Sequence, residues 1–311
     1  MNDVENPLVS VVIPTFNHAC YLSGALQSVL DQTYTRWEAI VIDNHSTDNT
    51  DEVMASFADP RINYLKIHNS GVIAASRNAG IRAAKGQWIA FLDSDDCWYP
   101  SKLKQCIPHL KNETDLVAHS LKVIGERNGY IFCGPKQLAT FDALLKKGSC
   151  ITPSATIIRK SLLDKVHGFS ESLRLNTAED YHLWIKLARE NISMKFLPEI
   201  LGEYRVHAGN QSGSAVRHMH SVLKVIDDFL PSDSYATFST KLRARRCKAH
   251  PYYGAARQLY KNRNFSEAWP LFIYSLIFWP FQTRSYVGIG LNTFYLVASK
   301  LKAVQVNRPK E

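Results

Sequence analysis

The 311 residues are 45% hydrophobic and 21% charged, a globular balance with enough chain for one large domain and an appendage. A chain of this size buries a core that needs no disulfide or structural metal, and the six cysteines (Cys20, Cys97, Cys106, Cys133, Cys150 and Cys247) form no Cys-x-x-Cys pair. They read as reduced thiols of a cytosolic protein.

The net charge of +9 is unevenly placed: 15 Lys/Arg stand against 5 Asp/Glu from Val216 onward, so residues 1–215 sum to −1. Such segregation suggests an acidic partner for the C-terminal third, either anionic lipid or nucleic acid. The polar first residues do not read as a secretory signal. No stretch approaches the roughly 20 apolar residues that cross a bilayer. Leu271–Phe281 contains Pro280, and Tyr286–Ala298 carries Asn292 and Thr293.

Leu8–Ile13 is a nearly continuous apolar, β-branched run ended by Pro14, the pattern of a strand buried on both faces. Residues 19–30 then show helical spacing through Leu22, Ala25, Leu26, Val29 and Leu30. Strand-like runs follow at Trp37–Ile42, Ile62–Ile67 and Gln87–Leu92, with helical Ala74–Ala84 before the last. This alternation predicts βαβ units and a mainly parallel sheet with helices on both faces. After Pro100, strands are expected at Asp115–Ile124, Tyr130–Phe132, Ala155–Arg159, Met194–Leu197 and Gly202–His207. Helices are expected at Phe141–Lys147 and Ala178–Asn191. The Gly/Ser-rich breaker Gly209–Ser214 divides a catalytic domain, 1–215, from a C-terminal helical region, 216–311, with helices near 216–230, 238–262, 265–279 and 284–302.

Ligands of open parallel sheets bind beyond the carboxyl ends of the strands. The polar residues there are Pro14-Thr15-Phe16-Asn17, Asp43-Asn44, His68-Asn69 and Asp93-Ser94-Asp95-Asp96. Three carboxylates within four residues repel unless a cation sits between them, and magnesium or manganese shared with a substrate diphosphate would relieve this. The plainer reading is a solvated acidic turn capping the helix after Pro100. Gly-x-Gly-x-x-Gly and the P-loop pattern are both absent.

In the predicted helix 178–191, Asp180 shares a face with Leu183, Trp184 and Leu187, so its carboxylate points inward. An inward carboxylate is costly unless paired or employed. Thr177 with Asp180 also resembles a capping box, which would make Asp180 a structural cap.

Several blocks, in order, resemble family 2 glycosyltransferases: Val9–Asn17, Ile42–Asp48, Ala75–Gly80, Phe91–Asp96, Ala178–Tyr181 and Tyr204–His207. The resemblance spans about residues 8–215 and implies the GT-A fold, a Rossmann-like α/β architecture, and inverting transfer from a nucleotide sugar. By that resemblance Pro14, Thr15 and Asn17 would line the nucleoside pocket and Asp43 would accept from the base, with uridine preferred. Arg77 would contact base or diphosphate, Asp93 and Ser94 the donor, and Asp95 a Mn2+ or Mg2+ ion. Asp180 would be the general base and Glu179 a support for acceptor or backbone. Asn44-His45 departs from the family's usual Asp-Gly. Asp96 would ligate the metal or cap the next helix, with the cap favoured.

Other readings stay open. His207 would reach the diphosphate or metal, or be a loop histidine; Trp98 and Tyr99 would face an acceptor sugar, or pack in the core. The basic run Lys241–Lys248 followed by Trp269, Phe272, Tyr274, Phe278, Trp279 and Phe281 suits an anionic membrane surface, or a helix packed on the catalytic domain. No nucleic-acid motif is present. The expected partners are a nucleotide-sugar donor and a saccharide or lipid-linked acceptor, met in the cytoplasm or at the inner membrane face. The competing classes are a non-catalytic nucleotide-sugar-binding protein and a nucleotidyltransferase, whose Gly-rich basic N-terminal loop is missing.

Overall fold

A computed structural model describes residues 6–69, 71–207, 209, 214–230 and 237–306, the last nine by backbone alone. The first five residues, and residues 210–213 of the expected breaker, lie outside the described residues. The chain forms two compact units, Met1–Leu144 with Ser149–Asn210, and Leu145–Gly148 with Gln211–Glu311.

The first unit is built on one mixed sheet. Strands β1 (Val9–Thr15), β2 (Trp37–Asp43), β3 (Ile62–Lys66) and β4 (Trp88–Phe91) alternate with helices α1 (Ala19–Leu30), α2 (Thr50–Ala55) and α3 (Ile73–Ala83). They pair in parallel in the order β3-β2-β1-β4. Every residue of β1 and β2 is buried, as strands covered on both faces must be. Helix α3 lies close over β1: a Cβ on Gly80 would stand 2.4 Å from Val12 Cγ1, so only glycine permits this approach.

Beyond β4 the sheet changes direction. β5 (Cys97–Trp98), α4 (Lys102–Cys106), β6 (Leu116–Gly125), β7 (Gly129–Ile131), α5 (Phe141–Lys147, from Leu145 on in the second unit), β8 (Thr156–Arg159), α6 (Lys160–Lys165), α7 (Glu179–Arg189) and β9 (Met194–Val206) follow. β8 runs antiparallel between β4 and β6, and β9 runs parallel to β6. The parallel expectation therefore holds for the first four strands, and the second half is mixed. β9 is one strand where two were expected. Pro198 cannot donate to the ladder, and the register with β6 shifts between Ala118 and Lys122, opposite that interruption.

Trp98 belongs to the core. Its side chain is buried, its indole N–H donates to the Ser154 carbonyl at 2.7 Å, and Lys102 Nζ lies 3.4 Å from the ring centroid. Of the two readings of Trp98, the buried ring fits the core one. Lys102 is wholly buried, and its Nζ has no hydrogen-bond partner.

The second unit contains α8 (Ala215–Phe229), α9 (Phe238–Lys261), α10 (Phe265–Phe278) and α11 (Thr283–Val306). Its core is small, centred on Met219, Phe272 and alanines such as Ala255, Ala256 and Ala268.

Burial lowers the Lys102 pKa from 10.5 to about 7. Between these values the unfolded chain binds a proton that the folded chain does not, so stability rises with pH across that window. Lys102→Met should stabilise the protein by about 1–4 kcal/mol at pH 7 and below, with the gain shrinking toward pH 10.5. Urea unfolding at several pH values measures this, and a gain independent of pH would contradict it.

Candidate active site

The four parallel strands end at one edge of the sheet, and the loops leaving that edge are cross-braced. Asn17, in a left-handed conformation with φ of 52°, donates its backbone N–H to Ser46 Oγ and accepts the Thr47 N–H on its carboxamide oxygen at 2.8 Å. Asn17 thus ties the loop after β1 to the loop after β2. Pro14 and Thr15 close β1, and the buried Thr15 hydroxyl has no protein partner.

Asp43, at the end of β2, is buried, and both its oxygens are engaged. Oδ1 accepts the Ser46 N–H at 3.0 Å and the Ser46 hydroxyl at 2.5 Å. The Tyr64 hydroxyl lies 3.0 Å from Oδ2 and 2.7 Å from Asp51 Oδ1, and burial followed by these two carboxylates raises its pKa. A carboxylate has about four acceptor positions, so Oδ2 keeps one for an N–H donor.

After β4 the chain turns through Asp93-Ser94-Asp95-Asp96. The Asp93 N–H donates to Ser154 Oγ at 3.1 Å, and Ser94 Oγ lies 3.1 Å from His18 Nδ1. Asp95 Oδ2 lies 3.0 Å from His207 Nε2. Burial and then the Asp93 charge raise the Asp95 pKa, opposed by the His207 hydrogen bond. Asp96 does not cap the next helix, whose N-cap is Ser101. It is buried, and Oδ1 accepts the Arg205 N–H at 2.9 Å, tying the acidic turn to β9. Burial, with the charges of Asp95 and Asp93, pushes its pKa well up.

Arg77 joins this turn to the start of α7. Its guanidinium is 3% exposed, with Nη2 donating to Asp93 Oδ1 at 2.7 Å and Nη1 to Glu179 Oε1 at 2.8 Å. Burial opposes the charge, but the two carboxylates outweigh it and hold Arg77 more firmly protonated than a free arginine. Direct contact with a base or diphosphate, as expected from sequence, would have to compete with these pairs. Glu179 is likewise turned to Arg77, so its acceptor-support role would run through the arginine.

Asp180 follows in the first turn of α7, whose Leu183, Trp184 and Leu187 are buried as the helical face required. The helix N-cap is Ala178, one residue beyond the Thr177 that a capping box with Asp180 would place there. Asp180 keeps part of its surface open, and its Oδ1 accepts the Tyr181 N–H at 2.6 Å. Burial and the neighbouring Glu179 charge push its pKa up to about 7, with Arg77 opposing. A carboxyl poised there is matched to proton transfer near neutral pH.

Two residues outside the family blocks, and Arg205 within one, complete the site. Tyr21 stacks on the His207 ring with centroids 4.8 Å apart, and His18 meets the same ring edge-on at 5.6 Å. Arg205 Nε donates to the Asp95 carbonyl at 3.2 Å. His18 and Tyr21 lie at the start of α1, where helical spacing draws attention to the apolar positions instead.

Among the described residues, no three His, Cys, Asp or Glu side chains enclose a cation. The donors that fit one are Asp95 and His207, whose Oδ2 and Nε2 lie 3.0 Å apart. Two protein ligands suit an ion that completes its shell from phosphate oxygens. Gly209 N–H donates to His207 Nδ1 at 3.1 Å and so helps to hold Nε2 toward Asp95.

The sequence profile of glycosyl transferase family 2 matches residues 10–166. WfgD of Escherichia coli, named UDP-Glc:alpha-D-GlcNAc-diphosphoundecaprenol beta-1,3-glucosyltransferase, is 31% identical over 73% of this chain and 88% of its own. Among solved structures, S. aureus TarS in complex with UDP-GlcNAc aligns with a TM-score of 0.64 at 20% identity, covering 86% of this chain and 79% of that one. The mannosyltransferase PcManGT from Pyrobaculum calidifontis, with GDP-Man and Mn2+, aligns with a TM-score of 0.58 at 17% identity, covering 97% and 88%. These two carry the GT-A fold.

Removing the guanidinium would leave two carboxylates facing each other without their cation. Arg77→Met should therefore cost about 3–5 kcal/mol of stability, read from urea unfolding. A loss below about 1 kcal/mol would show instead that solvent already screens the pairs.

Proposed function

The chain belongs to glycosyl transferase family 2 and is a glycosyltransferase, and from that premise we propose that it moves a sugar from a UDP-linked donor to a hydroxyl of a lipid-linked saccharide, with inversion. The observation that carries this reading is the buried Arg77 bridge, which brings Asp93 of the acidic turn together with Glu179 and, through it, Asp180. A single cation thereby holds a donor-side and an acceptor-side carboxylate.

In the proposed reaction, Asp180 accepts the proton of the acceptor hydroxyl as its oxygen attacks the anomeric carbon. The bond to the nucleoside diphosphate breaks on the opposite face, and its electron pair leaves with the diphosphate. One in-line displacement inverts the anomeric centre. Asp43 Oδ2, with its one remaining acceptor position, suits the N3–H of uracil. Pro14, Thr15 and Ser94 would line the donor pocket, while Asn17 acts by holding its loops. A divalent ion, manganese or magnesium, would be held by Asp95 with His207 and would neutralise charge on the leaving diphosphate.

The acceptor is proposed from the E. coli relative, whose name gives a diphosphoundecaprenol-linked sugar as its own substrate. A cytoplasmic enzyme would meet such an acceptor at the inner face of the membrane. Membership of the family leaves the nucleotidyltransferase and non-catalytic readings without support.

Three measurements test the proposal. Asp180→Asn should lower kcat about 10²–10⁴-fold while leaving the donor dissociation constant near that of the wild type. In the wild type, kcat/KM should rise with pH through about 7, as the carboxylate becomes available to take a proton. Full turnover by the variant, or a flat profile, would sink the assignment of Asp180. Separately, chelation should abolish transfer across a panel of nucleotide sugars, and manganese should restore it in the wild type but not in Asp95→Asn. Turnover that persists in chelator would refute the role given to Asp95.

A further inference from the structure

Helices α10 and α11 are built inside out for water. Between them lie small and polar groups: Ser275 Oγ sits 2.9 Å from Ser285 Oγ, Asn292 donates to the Phe265 carbonyl at 2.7 Å, and Gly288 lets the Phe272 ring approach. Their outward faces are apolar. On α11, Tyr286, Val287, Leu291, Phe294, Tyr295 and Val297 are all exposed, within one half of the helix circumference. On α10, Trp269, Tyr274 and Ile277 are exposed. Twelve of the seventeen exposed large hydrophobic side chains among the described residues fall between Phe238 and Val297, so the exposure is concentrated rather than scattered.

Phe272 apart, a helix pair in water would bury its aromatic and branched side chains and turn Ser285 and Asn292 outward. The reverse distribution is what helices adopt against lipid, where small and polar residues make the helix contact and apolar residues face the tails. The charge around this surface is one-sided: residues 237–306 hold eleven Lys/Arg and a single acid, Glu267. Arg245 and Arg246 on α9 are exposed, and Arg246 lies 5.3 Å from the Trp279 ring centroid.

We propose that the outward face of α10 and α11 docks on an anionic lipid bilayer, lying in the interface. No helix of the described residues is long and apolar enough to cross a membrane, which leaves the interface as the depth that fits. The charge selects this occupant over a second copy of the chain, because two such surfaces would bring like charges together. The apolar face selects it over a nucleic acid, whose phosphates would meet the arginines but leave the aromatics in water. The inference deepens the proposed function and rests on it only for what the bilayer carries: an acceptor anchored in lipid.

The test is flotation of the full chain with vesicles of phosphatidylcholine and phosphatidylglycerol, or of phosphatidylcholine alone, beside a Val287→Asp/Phe294→Asp double variant. Both positions are exposed, at 64% and 67%, so the fold does not depend on them. The wild type should float with the anionic vesicles and several-fold less with the neutral ones. The double variant should partition about tenfold less or weaker still, while turning over a short-chain, water-soluble diphosphate-linked acceptor at the wild-type rate. The proposal falls if the wild type fails to float, if the variant floats equally well, or if light scattering shows the substitutions dispersing a dimer that never bound vesicles. If flotation behaves as expected but no sugar is transferred by either protein, docking stands and the transfer reading fails.

Discussion

One buried cation fixes the geometry of this site. Arg77 is almost fully out of water, and a guanidinium there is tolerable only because two carboxylates meet its two terminal nitrogens. Those carboxylates are far apart in the chain: Asp93 follows strand β4, and Glu179 begins α7, 86 residues later in sequence. The pairing determines where α7 starts, and so where Asp180 sits. It also sets the electrostatics, since Arg77 opposes the rise of the Asp180 pKa that burial and Glu179 produce.

The rest of the site answers to a shortage of hydrogen-bond partners. Thr15 Oγ1, Arg77 Nε, Asp96 Oδ2 and Glu179 Oε2 are buried polar atoms without protein partners, all near the carboxyl edge of the sheet. Folded proteins rarely leave such atoms orphaned; these four fit a region that binds a polar ligand, although Trp37 Nε1, Lys102 Nζ, His119 Nε2 and Trp184 Nε1 are orphaned elsewhere.

The parallel half of the sheet was legible because β1 and β2 are buried on both faces and so carry unbroken β-branched runs, while α1 and α3 keep helical spacing between them. The mixed half was less legible. Antiparallel β8 contributes four residues, α2 and α6 are under two turns, and Pro198 makes one bulged strand look like two. The inward direction of Asp180 could be read from three apolar neighbours on one helical face. The bond from Asp96 to Arg205 could not, because it spans 109 residues and leaves no periodic trace. Trp98 shows the limit of residue type as a guide: an aromatic ring beside an acidic cluster suits a sugar, yet its indole N–H and Lys102 hold it in the core. His18 and Tyr21 belong to the site by ring packing alone, which sequence spacing does not record.

The central claim is that Asp180 takes a proton from within a charge cluster organised by Arg77 and Glu179. The most direct measurement is the pH dependence of kcat/KM in Glu179→Gln. Removing the Glu179 charge takes away one cause of the raised Asp180 pKa and frees Arg77 to act on it more strongly. The acid limb of the profile should therefore move below its wild-type position near pH 7. A limb that stays in place, or moves to higher pH, would contradict the account.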